Sequence, residues 1–187
     1  MKRQHASKSL KSLTGQSYQI WKFLVCYVCR CFSGFSTCGW SFISMTVVQK
    51  SALVKFSARQ MFDLVNDIEA YPKFLPWCGG SRIIKCENDF IEAELLISKG
   101  GFKKTFSTRN RIDKGGRITV SLLSGPFSYL EGKWDFMPLR EDASKISLDL
   151  KFEMSGKLAS LAFGAVFNQI CNTMISSFTN RAKEVYG

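Results

Sequence analysis

Between Arg82 and Met154 the chain switches to a period of two. Ile91, Ala93, Leu95 and Ile97 alternate with Glu92 and Glu94, and Ile118, Val120 and Leu122 alternate with Thr119 and Ser121. Leu130, Gly132, Trp134 and Phe136 fall on one side, with Glu131, Lys133 and Asp135 on the other. The longest run sets Ile146, Leu148, Leu150, Phe152 and Met154 against Lys145, Ser147, Asp149, Lys151 and Glu153. One apolar and one solvated face per strand predicts an antiparallel sheet covered on one side only. Gly100-Gly101 and Gly115-Gly116 supply hairpin turns. Neither has the Gly-x4-Gly-Lys-Ser/Thr pattern of a phosphate loop.

The flanks read differently. A strand-like stretch follows Met45, and Ser57-Ala-Arg-Gln60 forms a capping box that starts a helix with Met61, Leu64, Val65 and Ile68 on one face. Asp67 is placed to cap a second, short helix leading into Pro72–Pro76. At the other end a long helix is predicted from about 157 to 185, with Phe163, Phe167, Ile170, Met174 and Phe178 at helical spacing. No charge occurs from Leu158 to Asn180, yet Asn168, Gln169, Asn172 and Asn180 would leave uncompensated amides in lipid. The helix therefore belongs across the concave face of the sheet. The order is strand, two helices, about six strands and a long helix, an α+β fold of about seven antiparallel strands with a tunnel between sheet and helix.

Composition adds a division of the chain. Its 187 residues, 45% hydrophobic, fit one globular domain. Residues 1–44 hold six of the 26 Lys/Arg and none of the 15 acids, which lowers the net charge from +11 overall to +5 for 45–187. A basic balance favours anionic partners such as phospholipid headgroups or RNA, or is simply a solvated surface. Nothing points to DNA. The apolar centre of the first segment, residues 20–32, is interrupted by Lys22 and Arg30 and is too short to span a membrane comfortably. A mitochondrial presequence is compatible with it, which would imply the matrix; the simpler reading is an upstream extension outside the fold, with the domain at 45–187. Cys26, Cys29, Cys31 and Cys38 crowd that segment with no room for the usual loop between two zinc-ligand pairs. Cys78, Cys86 and Cys171 in the body are too few for a disulfide framework and imply a reducing compartment.

Candidate chemistry is sparse. The single histidine is His5, outside the domain, so neither a Cys–His nor a Ser/His/Asp arrangement can form within 45–187. Glu92 and Glu94 share a solvated strand face, and Cys78 reads as a small buried hydrophobe. No catalytic residue and no metal ligand is expected; binding is. Between residues 99 and 117 lie Lys99, Lys103, Lys104, Arg109, Arg111, Lys114 and Arg117 against the single acid Asp113. Lys103, Arg109 and Arg111 share a strand face, with Thr105 and Ser107 between them. With Lys104 they form a candidate contact for anionic lipid or RNA phosphates. Regularly interleaved aromatics are missing there, so base stacking is not expected.

Two aromatic segments remain: Tyr71-Pro-Lys-Phe-Leu-Pro-Trp-Cys78 and the run from Gly125-Pro-Phe-Ser-Tyr-Leu to Met-Pro-Leu139. Together they resemble the coenzyme Q-binding and ribosome-association toxin branch of the START-like, polyketide-cyclase-like superfamily, from about Met45 to the C-terminus. The resemblance implies a helix-grip fold whose tunnel binds ubiquinone or a similar lipid and supports respiratory electron transfer, without catalysis and without a further cofactor. Phe74, Leu75, Pro76 and Trp77 would close one end of the tunnel. Phe127, Leu130, Trp134 and Phe136 would line the sheet, and Phe163, Phe167 and Ile170 the helix wall. Asn168, Gln169 or Asn172 would either meet a quinone carbonyl or solvate the outer helix face. The protein would be cytoplasmic, resting through its basic hairpin on the inner face of a respiratory membrane. The alternative implied by the same resemblance is a toxin that binds the ribosome and blocks subunit association, and a lesser one is a polyketide cyclase.

Overall fold

The computed structural model describes residues 45–187 apart from 114, 157 and 158; the expectations for residues 1–44 lie outside the described residues. The predicted alternation resolves into seven strands: β1 (Thr46–Val54), β2 (Cys78–Cys86), β3 (Phe90–Lys99), β4 (Phe102–Ile112), β5 (Ile118–Ser124), β6 (Phe127–Arg140) and β7 (Ala143–Met154). They form one antiparallel sheet in the order β1-β7-β6-β5-β4-β3-β2. Consecutive strands from β2 to β7 are hairpin neighbours. The chain crosses once, from β1 at one edge to β2 at the other, through α1 (Ala58–Asn66), a 3-10 turn (Ile68–Ala70) and the short α2 (Tyr71–Phe74). The long helix α3 (Ala159–Tyr186) follows β7 and lies against β1, β7 and α1.

Local chemistry explains the crossover. The Ser57 side chain accepts from the Gln60 backbone at 3.2 Å, and the Gln60 side chain accepts from the Ser57 N–H at 2.9 Å. This reciprocal pair satisfies two of the donors that a helix start leaves free. Asp67, by contrast, does not cap the next element through its side chain. Its backbone (φ −80°, ψ 68°) is outside the extended geometry that lets a cap side chain reach back, and its N–H closes α1 on the Asp63 carbonyl instead. The turn is pinned from elsewhere: the Tyr71 hydroxyl donates to the Val65 carbonyl at 2.5 Å and the Ser81 hydroxyl to the Ile68 carbonyl at 2.8 Å.

The sheet is curved by five register shifts, at Cys78/Gly80, Ile83/Lys85, Ser107/Thr108, Phe127/Tyr129 and Pro138/Arg140. Each inserts an unpaired residue into one strand and bends the ladder. Gly125 (φ 146°) starts the turn into β6 where a Cβ would come within 2.5 Å of the Phe106 Cβ. The concave face carries the core. Ile97, Ile146, Leu148 and Phe152 are fully buried there against Phe163, Ile170 and Phe178 of α3. Each such side chain contributes roughly 1.5–3 kcal/mol of burial. The polar residues of α3 face outward, where the Asn172 side chain donates to the Asn168 carbonyl and the Thr179 hydroxyl to the Ile175 carbonyl.

Candidate functional site

Sheet and helix do not close completely on each other. A cavity lies between Ala93 and Leu95 of β3, Phe106, Thr108 and Asn110 of β4, Val120 of β5, Leu130 and Trp134 of β6, and Leu148 and Leu150 of β7. Phe167 and Met174 cover it from α3, and Ile68, Tyr71, Leu75 and Trp77 close it from the crossover. The atom-free space, counted together with its opening to solvent, is about 700 Å³. The period-two pattern puts these strand residues here, because the same alternation that buries Leu148 and Leu150 turns Lys151 and Asp149 outward.

Of the residues expected in the tunnel, Leu75, Trp77, Leu130, Trp134 and Phe167 line this cavity. The others sit elsewhere. Phe127 and Phe163 belong to a dense aromatic cluster with Phe102, Phe106, Phe152 and Phe167, in which Phe127 and Phe167 rings are 4.7 Å apart. Phe136 is stacked on Trp134 and edge-on to Phe62, outside the lining, and Ile170 is fully buried in the core. Phe74 packs on Tyr71 and Phe178 with the Arg181 guanidinium over its ring, and Pro76 is exposed. Asn168, Gln169 and Asn172 are on the outer part of α3 and do not line the cavity.

The wall is apolar with a few polar atoms. The Thr108 hydroxyl donates to the Asn110 carboxamide oxygen at 3.0 Å. Burial pushes the Tyr71 phenol far above its ordinary range, so it remains a neutral donor committed to Val65. Trp77 is 2% exposed and its Nε1–H is buried with no partner. No Lys, Arg, Asp, Glu or His lines the space. Thr108 and Asn110 were within reach of the sequence: they follow Phe106 at period two, on the face of β4 opposite Lys103, Arg109 and Arg111. Among the described residues no three His, Cys, Asp or Glu side chains gather as a metal site. Cys78 and Cys171 are buried free thiols, and burial raises both, Cys171 to about 12, so neither is a ready thiolate.

The basic hairpin is not one continuous patch. Arg109 donates to Glu92 at 2.6 Å and its guanidinium lies 4.9 Å over the Phe90 ring, while Arg117 is 2.6 Å from Asp135. Glu94 is likewise held by Arg82 at 2.8 Å. Lys99, Lys103, Lys104 and Arg111 make no ion pair among the described residues. Lys99, Lys103 and Lys104 gather around the Gly100-Gly101 turn, both glycines with positive φ. Arg111 is at the far end of β4, eight residues or about 26 Å along the strand. Lys104 has the parity of Phe106 and so leaves the strand on the side opposite Lys103.

Comparison with known proteins fits this geometry. Residues 54–179 match the family described as polyketide cyclase / dehydrase and lipid transport. The ribosome association toxin RatA of Vibrio cholerae is 49% identical over 143 residues, covering 76% of this chain and 99% of the toxin. The mitochondrial coenzyme Q-binding protein COQ10 homolog B of Xenopus laevis is 26% identical over 142 residues, 74% of this chain and 58% of that protein. A START superfamily protein from Mycobacterium smegmatis superposes with a TM-score of 0.65 at 22% identity, covering 74% of this chain and 98% of the other, which speaks to the fold alone. The chain therefore belongs to the polyketide cyclase / dehydrase and lipid transport family, START-like in fold, and within it to the group of the RatA ribosome association toxins.

Proposed function

We propose that this protein binds ribosomal subunits in the cytoplasm and interferes with their association, acting by occupancy and not by catalysis. The observation that carries this reading is the 49% identity to a ribosome association toxin over 99% of that toxin's length. The more distant coenzyme Q-binding relative covers a shorter share of its own chain. That reverses the order in which the two roles are expected from the aromatic segments alone. Supporting it, Lys99, Lys103 and Lys104 give phosphates three cations, on the two sides of one hairpin tip, without acid partners among the described residues. A cavity wall with no titratable group except the committed Tyr71 phenol supports binding over acid–base chemistry. The test adds the purified full chain to dissociated subunits and follows their magnesium-driven reassociation by light scattering. Reduced reassociation at stoichiometric protein is the expected result, and unchanged reassociation would overturn the reading.

A second reading rests on a separate observation, the apolar cavity with an unpartnered indole N–H in its wall. A hydrophobic ligand held there would make the protein a carrier as well, with affinity drawn mainly from burial of its apolar body. Extraction of purified protein for mass spectrometry tests this, with a stoichiometric lipid or quinone as the expected outcome.

A further inference from the structure

The two edges of the sheet are finished differently. β2 forms one edge, and two register shifts, at Cys78/Gly80 and Ile83/Lys85, break its regularity. The Ser81 hydroxyl also ties it to the crossover by donating to the Ile68 carbonyl. Bulges and cover of this kind keep an edge from pairing with another chain. β1 forms the other edge and has neither. All nine residues from Thr46 to Val54 pair with β7 without a shift. Beyond that ladder β1 makes no hydrogen bond among the described residues, so the N–H and C=O groups on its outer side lie open. Val47 and Leu53 stand on the solvated face of this strand, 52% and 74% exposed and about 20 Å apart, with Gln49 and Ser51 between them. Lys50, at the midpoint, has the parity of the buried Val48 and Val54, yet it is exposed and makes no ion pair among the described residues. From Thr46 to Phe56 the chain has two lysines, Lys50 and Lys55, and no acid.

We propose that β1 is a docking edge for an extended strand of another protein, which sets an acidic residue against Lys50 and apolar residues against Val47 and Leu53. Main-chain hydrogen bonds of the added strand continue the sheet, and its side chains on alternate faces select the partner. Directly opposed side chains on neighbouring strands stabilise the pair when oppositely charged and destabilise it when alike. A second copy of this chain is a poor occupant for that reason. Two β1 strands paired antiparallel about their midpoints would set Lys50 against Lys50. The lysine thus discourages self-pairing while leaving the edge open to an acidic strand. The added strand also covers Val47 and Leu53, whose apolar surface otherwise stays in water. No residue of β1 lines the cavity or belongs to the β3–β4 tip, so this surface is independent of both readings above.

A palindromic peptide with blocked ends, Thr-Val-Thr-Thr-Glu-Thr-Thr-Val-Thr, presents this pattern in either strand direction. Titrated into the isotope-labelled full chain, it should shift the β1 amide resonances and slow their hydrogen exchange, while the β2 amides stay unchanged. Replacing its central Glu by Lys should weaken binding about fivefold at low salt. Lys50→Glu should reverse that preference, so that the variant takes the Lys-centred peptide instead. Changes at β2 without changes at β1, or equal binding of the two peptides by the native chain, would overturn the proposal. So would β1 amides that stay unmoved at millimolar peptide. Concentration-dependent protection of β1 in the chain alone would also overturn it, because the occupant would then be a second copy. Each of these contrary results is read on the native chain and holds even if Lys50→Glu does not fold.

Discussion

Strand β4 carries polar side chains on both of its faces, and the two sets are treated in opposite ways. Outside, Arg109 is clamped by Glu92 and stacked over Phe90, while Lys103 and Arg111 have no protein partner among the described residues. Inside, Thr108 and Asn110 are tied to each other, and the Trp77 indole N–H, buried in another part of the same wall, has no partner. An unpaired lysine in water costs little, because solvent satisfies it; an unpaired indole N–H in an apolar wall has no such substitute. The outer face thus leaves unpaired charge in water, and the inner face keeps its few polar groups within an apolar wall. The two are linked only through the fold, so each can be damaged without the other.

The largest effect should come from inside. Phe167 lies 4.7 Å from Phe127 and 4.8 Å from Phe152, ring to ring, and also lines the cavity. Phe167→Ala should cost about 3–5 kcal/mol of stability in denaturant unfolding, while the folded fraction keeps its affinity for ribosomal subunits. The outer counterpart is the double variant Lys103→Glu with Lys104→Glu. Sedimentation at about 0.1 M salt should show a loss of subunit affinity of about 10- to 100-fold, with the thermal midpoint nearly unchanged. Next comes Gly132→Ala, where the new Cβ would sit 2.7 Å from the Leu150 Cδ1. The clash is with the end of a flexible side chain that must shift, so about 1–2 kcal/mol of stability should be lost, as calorimetry would register. Smallest is Arg109→Ala. Its charge is already spent on Glu92, and its loss should cost about 0.5 kcal/mol and change subunit affinity by less than about twofold.

Most of the fold is legible in the alternation. The runs through Ile91–Ile97 and Ile146–Phe152 predict which face is buried, and the Ser57–Gln60 capping box is where the pattern places it. The bulges are not legible. Ile84, Leu123 and Leu139 are the inserted residues at three register shifts, and each stays exposed although apolar. A one-residue insertion is set by pairing between strands, which one strand's sequence does not encode. The candidate site is partly legible for a related reason. The family resemblance marks Phe127 and Phe163 as wall residues as readily as Trp134 and Phe167. Which of them meets the cavity depends on where α3 crosses the sheet, and that crossing buries Phe127 and Phe163 among other rings. Reading residues 99–117 for charge also draws attention to the odd positions of β4 and away from Thr108 and Asn110 on the even ones. Likewise, the basic run looks continuous in sequence, but cross-strand partners from β3 and β6 neutralise Arg109 and Arg117.

The central claim is that this chain works on the ribosome through the lysines at the β3–β4 tip. The most direct measurement is co-sedimentation of the full chain with purified ribosomal subunits across a salt series, alongside the Lys103→Glu, Lys104→Glu variant. The account predicts that the native chain pellets with subunits at low salt and is released steeply as salt rises, and that the variant stays in the supernatant. A native chain that never pellets with subunits, or a variant that pellets equally well with the same salt dependence, would contradict it.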